Sequence, residues 1–210
     1  MTSNDVLDIS KIVPVIAIDD ANKALSLANA ILNSGIKVME ITLRTEAALD
    51  SIKIISEKLP EMNVGAGTVC SKNDFKNAVD AGAKFVFSPG ISQELIDFSK
   101  EINIPFIPGV ATASEVMLAQ NNDIYACKLF PAVLSGGIGM LKSFQGPFSK
   151  MKFCPTGGVN IDNMNEFLSL KNVSCIGGTW ICPKEFLNNN EFLKIEKLCK
   201  EAILNVNENL

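Results

Sequence analysis

The chain has 210 residues, 47% apolar and 20% charged, with a net charge of −4 and no histidine. That length suits one α/β domain at the short end of the barrel range, and the mildly acidic balance argues against broad binding to a nucleic-acid backbone. The missing histidine excludes a Ser-His-Asp triad and a His-ligated zinc site, so acid–base chemistry falls to carboxylates, lysine, cysteine, water or the single Tyr125.

Residues 1–12 are mixed and polar, so no secretory signal is expected. No run approaches the roughly 18 apolar residues of a membrane span. A short helix is expected over 3–10, closing the lower end of the fold. Eight strands are expected, at 13–18, 38–43, 63–69, 85–88, 106–110, 126–130, 153–156 and 174–178. Most are continuous apolar runs rather than alternations, as in a parallel sheet covered on both faces.

Helical segments fill the gaps. Residues 19–34 place Ala24, Leu27, Ala28 and Ile31 on one face and end at Gly35, a C′ position, with Asp19 and Asp20 read as helix-start residues. Ser71 reads as the N-cap of a helix ending near Gly82, and Thr112 with Glu115 as a capping box. A last packing helix is expected over 190–206, its acids on a solvated face. Lys37, Lys84 and Lys152 precede strands and should be solvated at the lower end. Eight βα units without a linker predict a single (β/α)8 TIM barrel over 1–210, with a doubly wound open sheet as the alternative. The six cysteines form no Cys-x-x-Cys pair and read as reduced thiols of a cytoplasmic protein.

In such barrels the chemistry stands at the C-terminal ends of the strands. Lys128, in Tyr-Ala-Cys-Lys-Leu-Phe-Pro, is flanked by apolar residues inside a strand. A lysine there is costly when charged and unpaired, so a depressed pKa and a free amine able to attack a ketone are expected. The plainer alternative is a lysine that snorkels or pairs with a carboxylate. Glu40, in Val-Met-Glu-Ile-Thr-Leu, is the second charge inside an apolar strand. It could be half of a buried ion pair, or the proton shuttle of imine formation. Arg44 is the only arginine among nineteen basic residues, which suggests a place where a fork-shaped donor is needed. Gly157-Gly158 and Gly177-Gly178-Thr179 follow strands seven and eight, where many barrels bind phosphate on bare N–H groups and a short helix N-terminus. Trp180 reads as packing, and Cys127 as facing away from Lys128.

Together Val-Pro-Val-Ile, Glu-Ile-Thr-Leu-Arg-Thr, Gly-Ala-Gly-Thr-Val, Ser-Pro-Gly, Pro-Gly-Val-Ala-Thr, Lys-Leu-Phe-Pro-Ala, Phe-Cys-Pro-Thr-Gly-Gly-Val and Cys-Ile-Gly-Gly-Thr-Trp resemble the bacterial 2-keto-3-deoxy-6-phosphogluconate (KDPG) aldolase family, from about Ile12 to about Pro183. The resemblance implies a metal-independent class I aldolase without cofactor, a homotrimer, that also acts on 4-hydroxy-2-oxoglutarate. It implies an imine on Lys128, with Glu40 as general acid–base. Arg44 and Thr68 would hold the pyruvyl carboxylate, and Gly157, Gly158, Gly178 and Thr179 the phosphate. Pro89 and Thr156 would line the pocket. The chain departs from the family at Val133, where an acid is frequent, and at Thr179, where many relatives carry serine. The first bears on fine substrate preference, and the second keeps the hydroxyl. A small keto-acid sugar phosphate is the expected partner, with neither nucleic acid nor membrane. The competing readings are 4-hydroxy-2-oxoglutarate or the galactonate epimer as main substrate, a non-catalytic phosphosugar-binding barrel, and a phosphate-binding barrel isomerase or synthase.

Overall fold

The computed structural model describes residues 1–209, with side chains described through Val206. Helix α1 (Ser3–Asp8) starts on a capping box in which the Thr2 hydroxyl and the Asp5 carboxylate each accept the other residue's backbone N–H. It covers the lower end, where Ser3 Oγ donates to Phe106 O at 2.9 Å.

Strand β1 (Ile12–Ile16) leads through a 3-10 turn (Ala21–Lys23) into α2 (Ala24–Asn33). Gly35 follows with φ 100°, the left-handed helix stop its sequence position predicts. The pattern repeats through β2 (Val38–Thr42), α3 (Ala48–Lys58), β3 (Asn63–Gly67), α4 (Lys72–Asp80), β4 (Val86–Phe87) and α5 (Gln93–Glu101). It continues through β5 (Phe106–Ile107), β6 (Gly109–Val110), α6 (Ala113–Asn121), β7 (Ala126–Leu129), α7 (Gly137–Phe144) and β8 (Lys152–Pro155). The last elements are α8 (Met164–Leu168), β9 (Ile176–Gly178), α9 (Lys184–Asn188) and α10 (Phe192–Asn209).

The expected fifth strand, 106–110, is divided into β5 and β6 at Pro108, which has no N–H to give to a ladder. Its carbonyl still accepts from Lys128 N at 2.8 Å. All strand pairs are parallel. One sheet has the order β5-β4-β3-β2-β1-β9 and the other β6-β7-β8. Single parallel bridges, Phe153 to Val173 and Thr156 to Gly177, link β8 to the segment leading into and through β9. The result is an α/β fold on parallel sheets. Every residue of β1 and β2 is buried; β1 accordingly runs continuously apolar, and β2 does so except at Glu40 and Thr42.

One expectation is corrected at the lower end. Lys37 is solvated, but Lys84 and Lys152 are half-buried and bind loop carbonyls. Lys84 Nζ donates to Pro60 O (2.7 Å) and Met62 O (3.0 Å), and Lys152 Nζ to Lys171 O (2.8 Å). These αβ loops present carbonyls that no N–H reaches, and the lysine head satisfies them. Asp20 caps the 3-10 turn as expected, whereas Asp19 pairs with Lys184 at 2.7 Å.

Candidate active site

Parallel register carries the charged strand residues to one level: Val15 is opposite Glu40 and Glu40 opposite Gly65, while Gly109 is opposite Lys128 and Lys128 opposite Cys154. Lys128 and Glu40 then meet across the interior. Nζ lies 3.1 Å from Oε1 and 3.3 Å from Oε2, with the side chains 6% and 2% exposed. Both the ion-pair reading and the proton-shuttle reading required this contact. The rings of Phe87 and Phe130 each lie 5.3 Å from Nζ, so the amine has aromatic walls.

Glycines make room for these groups. A Cβ on Gly67 would lie 1.9 Å from Glu40 Oε1, so Glu40 lies over the bare backbone of β3. A Cβ on Gly177 would meet Thr156 Oγ1 at 2.3 Å, and one on Gly178 would meet the Trp180 ring at 1.6 Å. Trp180 is thus packing, as expected, and it packs on Gly178.

The pair opens into a cavity of about 230 Å³ at the C-terminal ends of the strands. Its lining includes every residue singled out in the sequence: Glu40, Arg44, Thr68, Pro89, Lys128, Thr156, Gly157, Gly158, Gly178 and Thr179. It also includes Gly177 of the second glycine turn, and Val15, Thr42, Phe130 and Val159, which sequence reasoning had given no role. All of them belong to the motifs quoted above, and Thr42 sits two residues from both Glu40 and Arg44. A larger recess of about 420 Å³ lies at the lower end beside α1, but its charged side chains, Lys100 and Asp123, are exposed and form no pair.

Arg44 stands exposed on the cavity rim. Its Nε donates to Thr42 Oγ1 at 3.2 Å, and no carboxylate pairs with it among the described residues. Its remaining donors face the needs of an outside anion. Thr68 follows β3 directly with φ 61°, a left-handed backbone that a β-branched residue adopts only at a cost of about 1–2 kcal/mol. Strain of that kind gathers at functional positions.

Gly157 (φ 100°) and Gly158 (φ 82°) form the turn after β8, and the N–H groups of Gly157, Gly158 and Val159 have no acceptor among the described residues. Donors left bare on successive residues make an anion cradle. Val133 rests on this turn: its N–H donates to Gly157 O at 3.1 Å, and a Cβ on Gly158 would meet its Cγ2 at 2.7 Å. After β9 the expected helix N-terminus is absent. Gly178 is followed by one turn, closed by Cys182 N to Thr179 O at 3.1 Å, and α9 begins only at Lys184. Pro183 at its cap position has no N–H to donate to a bound anion.

Cys127 is fully buried and burial pushes its thiol up, so it takes no part in the cavity. Among the described residues no group of acids and cysteines could hold a metal ion, and no helix is long and apolar enough to cross a membrane.

Comparison with known proteins extends the geometry. The family described as KDPG and KHG aldolase matches residues 4–198. The 2-dehydro-3-deoxy-phosphogluconate aldolase of Pseudomonas aeruginosa is 44% identical over 194 residues, 92% of this chain and 88% of that one. The KHG/KDPG aldolase of Escherichia coli is 40% identical over 202 residues, 96% of this chain and 95% of that one. Among solved structures, KDPG aldolase from Legionella pneumophila, with pyruvate captured as a covalent carbinolamine, is similar at a TM-score of 0.95 and 41% identity. That match covers 97% of this chain and 98% of the other.

Proposed function

The chain belongs to the KDPG and KHG aldolase family, and on that footing we propose that it is a metal-independent class I aldolase. It cleaves 2-keto-3-deoxy-6-phosphogluconate to pyruvate and glyceraldehyde 3-phosphate and also acts on 4-hydroxy-2-oxoglutarate. The observation that carries this reading is the buried Lys128–Glu40 pair at 3.1 Å, opening into a cavity that has an arginine at one side and bare glycine N–H groups at another.

The ammonium of Lys128 hands a proton to Glu40, and the freed amine attacks the keto carbon, C2. Glu40 returns the proton to the carbinolamine hydroxyl, which leaves as water. The resulting cationic imine accepts the electron pair of the C3–C4 bond, while Glu40 takes the proton of the C4 hydroxyl. The aldehyde departs, the enamine is protonated at C3, and hydrolysis of the imine releases pyruvate. Arg44 and Thr68 hold the pyruvyl carboxylate. Gly157, Gly158, Gly178 and Thr179 hold the phosphate, and Pro89 and Thr156 shape the walls. Phosphate binding remote from the scissile bond serves to fix that bond over the amine.

The finer architecture belongs to the same reading. The two sheets are one closed (β/α)8 barrel and one domain, with β5 and β6 as halves of the fifth strand. The Thr156–Gly177 bridge supports closure between strands seven and eight. The assembly is a cytoplasmic homotrimer, which an ultracentrifuge would record near 68 kDa, three times the 22.6 kDa chain.

Borohydride reduction in the presence of pyruvate, followed by peptide mapping, tests the chemistry. A reduced pyruvyl adduct on Lys128 is expected; folded protein that takes no adduct overturns the aldolase reading and revives a phosphosugar-binding barrel. Glu40→Gln should slow turnover by roughly 10²–10⁴-fold with the fold intact, and full activity in that variant would remove Glu40 from the mechanism.

A further inference from the structure

The motif Glu-Ile-Thr-Leu-Arg-Thr contains two threonines to which the reaction gives no task. The structure uses both at the end of β2. Thr42 Oγ1 donates to Ile16 O at 3.0 Å, and Thr45 Oγ1 donates to Ile18 O at 2.5 Å. Two hydroxyls thus fasten the segment that carries Arg44 to the end of β1. Thr42 has a further contact: it is 1% exposed, lines the cavity, and accepts a hydrogen bond from Arg44 Nε at 3.2 Å.

A hydroxyl has one proton and two lone pairs. The Thr42 proton is committed to the Ile16 carbonyl, so toward Arg44 the oxygen can only accept. The guanidinium is planar, and fixing Nε leaves one rotation about the Cδ–Nε axis fewer for the fork to search. An exposed arginine without a carboxylate partner would otherwise lose that freedom only when substrate arrives, at a cost to affinity.

We propose that Thr42 is a positioning residue for substrate: its hydroxyl, locked by Ile16, presets the Arg44 guanidinium with its terminal nitrogens free for the keto-acid carboxylate. The inference rests on the reading that Arg44 binds that carboxylate. Thr42 acts through Arg44 and touches no reacting atom, so it governs how much substrate is needed and leaves the bond-breaking step alone.

The test measures the pyruvate concentration giving half-maximal borohydride trapping on Lys128, together with the trapping rate at saturation, in wild type, Thr42→Val, Thr42→Ser, Arg44→Ala and the Thr42→Val/Arg44→Ala double variant. Valine keeps the shape and removes the hydroxyl; thermal melting checks each fold. Thr42→Val should raise the half-saturating concentration about tenfold, the size of one oriented hydrogen bond to a charged group, with the saturated rate unchanged. Thr42→Ser should restore affinity, and Thr42→Val should add nothing in the Arg44→Ala background. If Arg44→Ala raises the half-saturating concentration and Thr42→Val does not, or if the two effects multiply, the positioning role is wrong. If Arg44→Ala itself binds pyruvate normally, the carboxylate assignment of Arg44 falls instead.

Discussion

Gly67 shows how a backbone position can decide chemistry without any functional group of its own. An added Cβ would lie 1.9 Å from Oε1 and 2.6 Å from Cγ of Glu40. The obstacle is the end of a side chain rather than backbone, so the cheapest relief is for the carboxylate to leave Lys128. Gly67→Ala should therefore melt within a few degrees of wild type yet turn over about 10²-fold more slowly, the size of an acid–base contribution; wild-type kcat would sink this account. The thiols offer a second check. Five of the six cysteines are buried, and burial holds Cys182 and Cys199 up at about 12, so at pH 8 neither has appreciable thiolate. Cys70 is exposed, with its thiol raised by partial burial and by Asp74. Native protein should titrate one thiol with a disulfide reagent, faster as pH rises, and unfolded protein all six. At this scale the charged and fork-shaped residues could be read directly, because Lys128, Glu40 and Arg44 are conspicuous against their neighbours. The supporting glycines and Thr42 could not, since their roles depend on which strand lies beside which and at what offset.

Elements follow local chemistry, and the capping boxes are the clearest case. Thr112 and Glu115 form the box their spacing predicts: Glu115 Oε2 accepts from Ala111 N and Thr112 N at 2.8 Å each and from Thr112 Oγ1 at 2.9 Å. Glu115→Ala should cost about 1 kcal/mol and lower the melting temperature by roughly 2–4 °C, measurable by calorimetry; an unchanged melting temperature would mean that water replaces the carboxylate at no cost. The boxes at Thr2/Asp5 and Ser71/Asp74 close with aspartate where the sequence signature expects glutamate or glutamine, so sequence reasoning takes in only the Ser71 cap and misses the Thr2 box altogether. Strand centres were legible and strand ends less so. Ala17 and Ile18 extend the apolar run of β1, but the strand ends at Ile16, because apolar character reports burial and not pairing. The break at Pro108 follows from its missing N–H, a signal that stands in the sequence but is overridden there by the apolar residues on either side of Pro108-Gly109.

At the scale of the molecule the two ends of the fold divide the labour. The cavity, Arg44, the strained Thr68 and the glycine turns stand at the C-terminal ends of the strands, while α1, Lys84 and Lys152 close the other end. The alternation of eight apolar runs with helices made this polarity legible in the sequence. The use of lower-end lysines as clamps was not legible, since a lysine before a strand looks like a solvated charge until the neighbouring loop's carbonyls are located. The division predicts that stability and chemistry respond separately to substitution at the two ends. Lys84 ties its own turn to the carbonyls of Pro60 and Met62, two acceptors in the loop of the preceding βα unit. Lys84→Met keeps the stem and removes the donor, leaving both carbonyls to partial solvation. The loss should be about 1–2 kcal/mol, a fall of roughly 3–6 °C in melting temperature. Because Lys84 makes no contact with the cavity, pyruvate half-saturation and the trapping rate at Lys128 should not change. Gly67→Ala should give the opposite pattern, slow chemistry in a protein that melts almost normally. If Lys84→Met slowed trapping at temperatures where it remains folded, the lower loops would have to be coupled to the catalytic pair through the strands, and the separation of the two ends would be wrong.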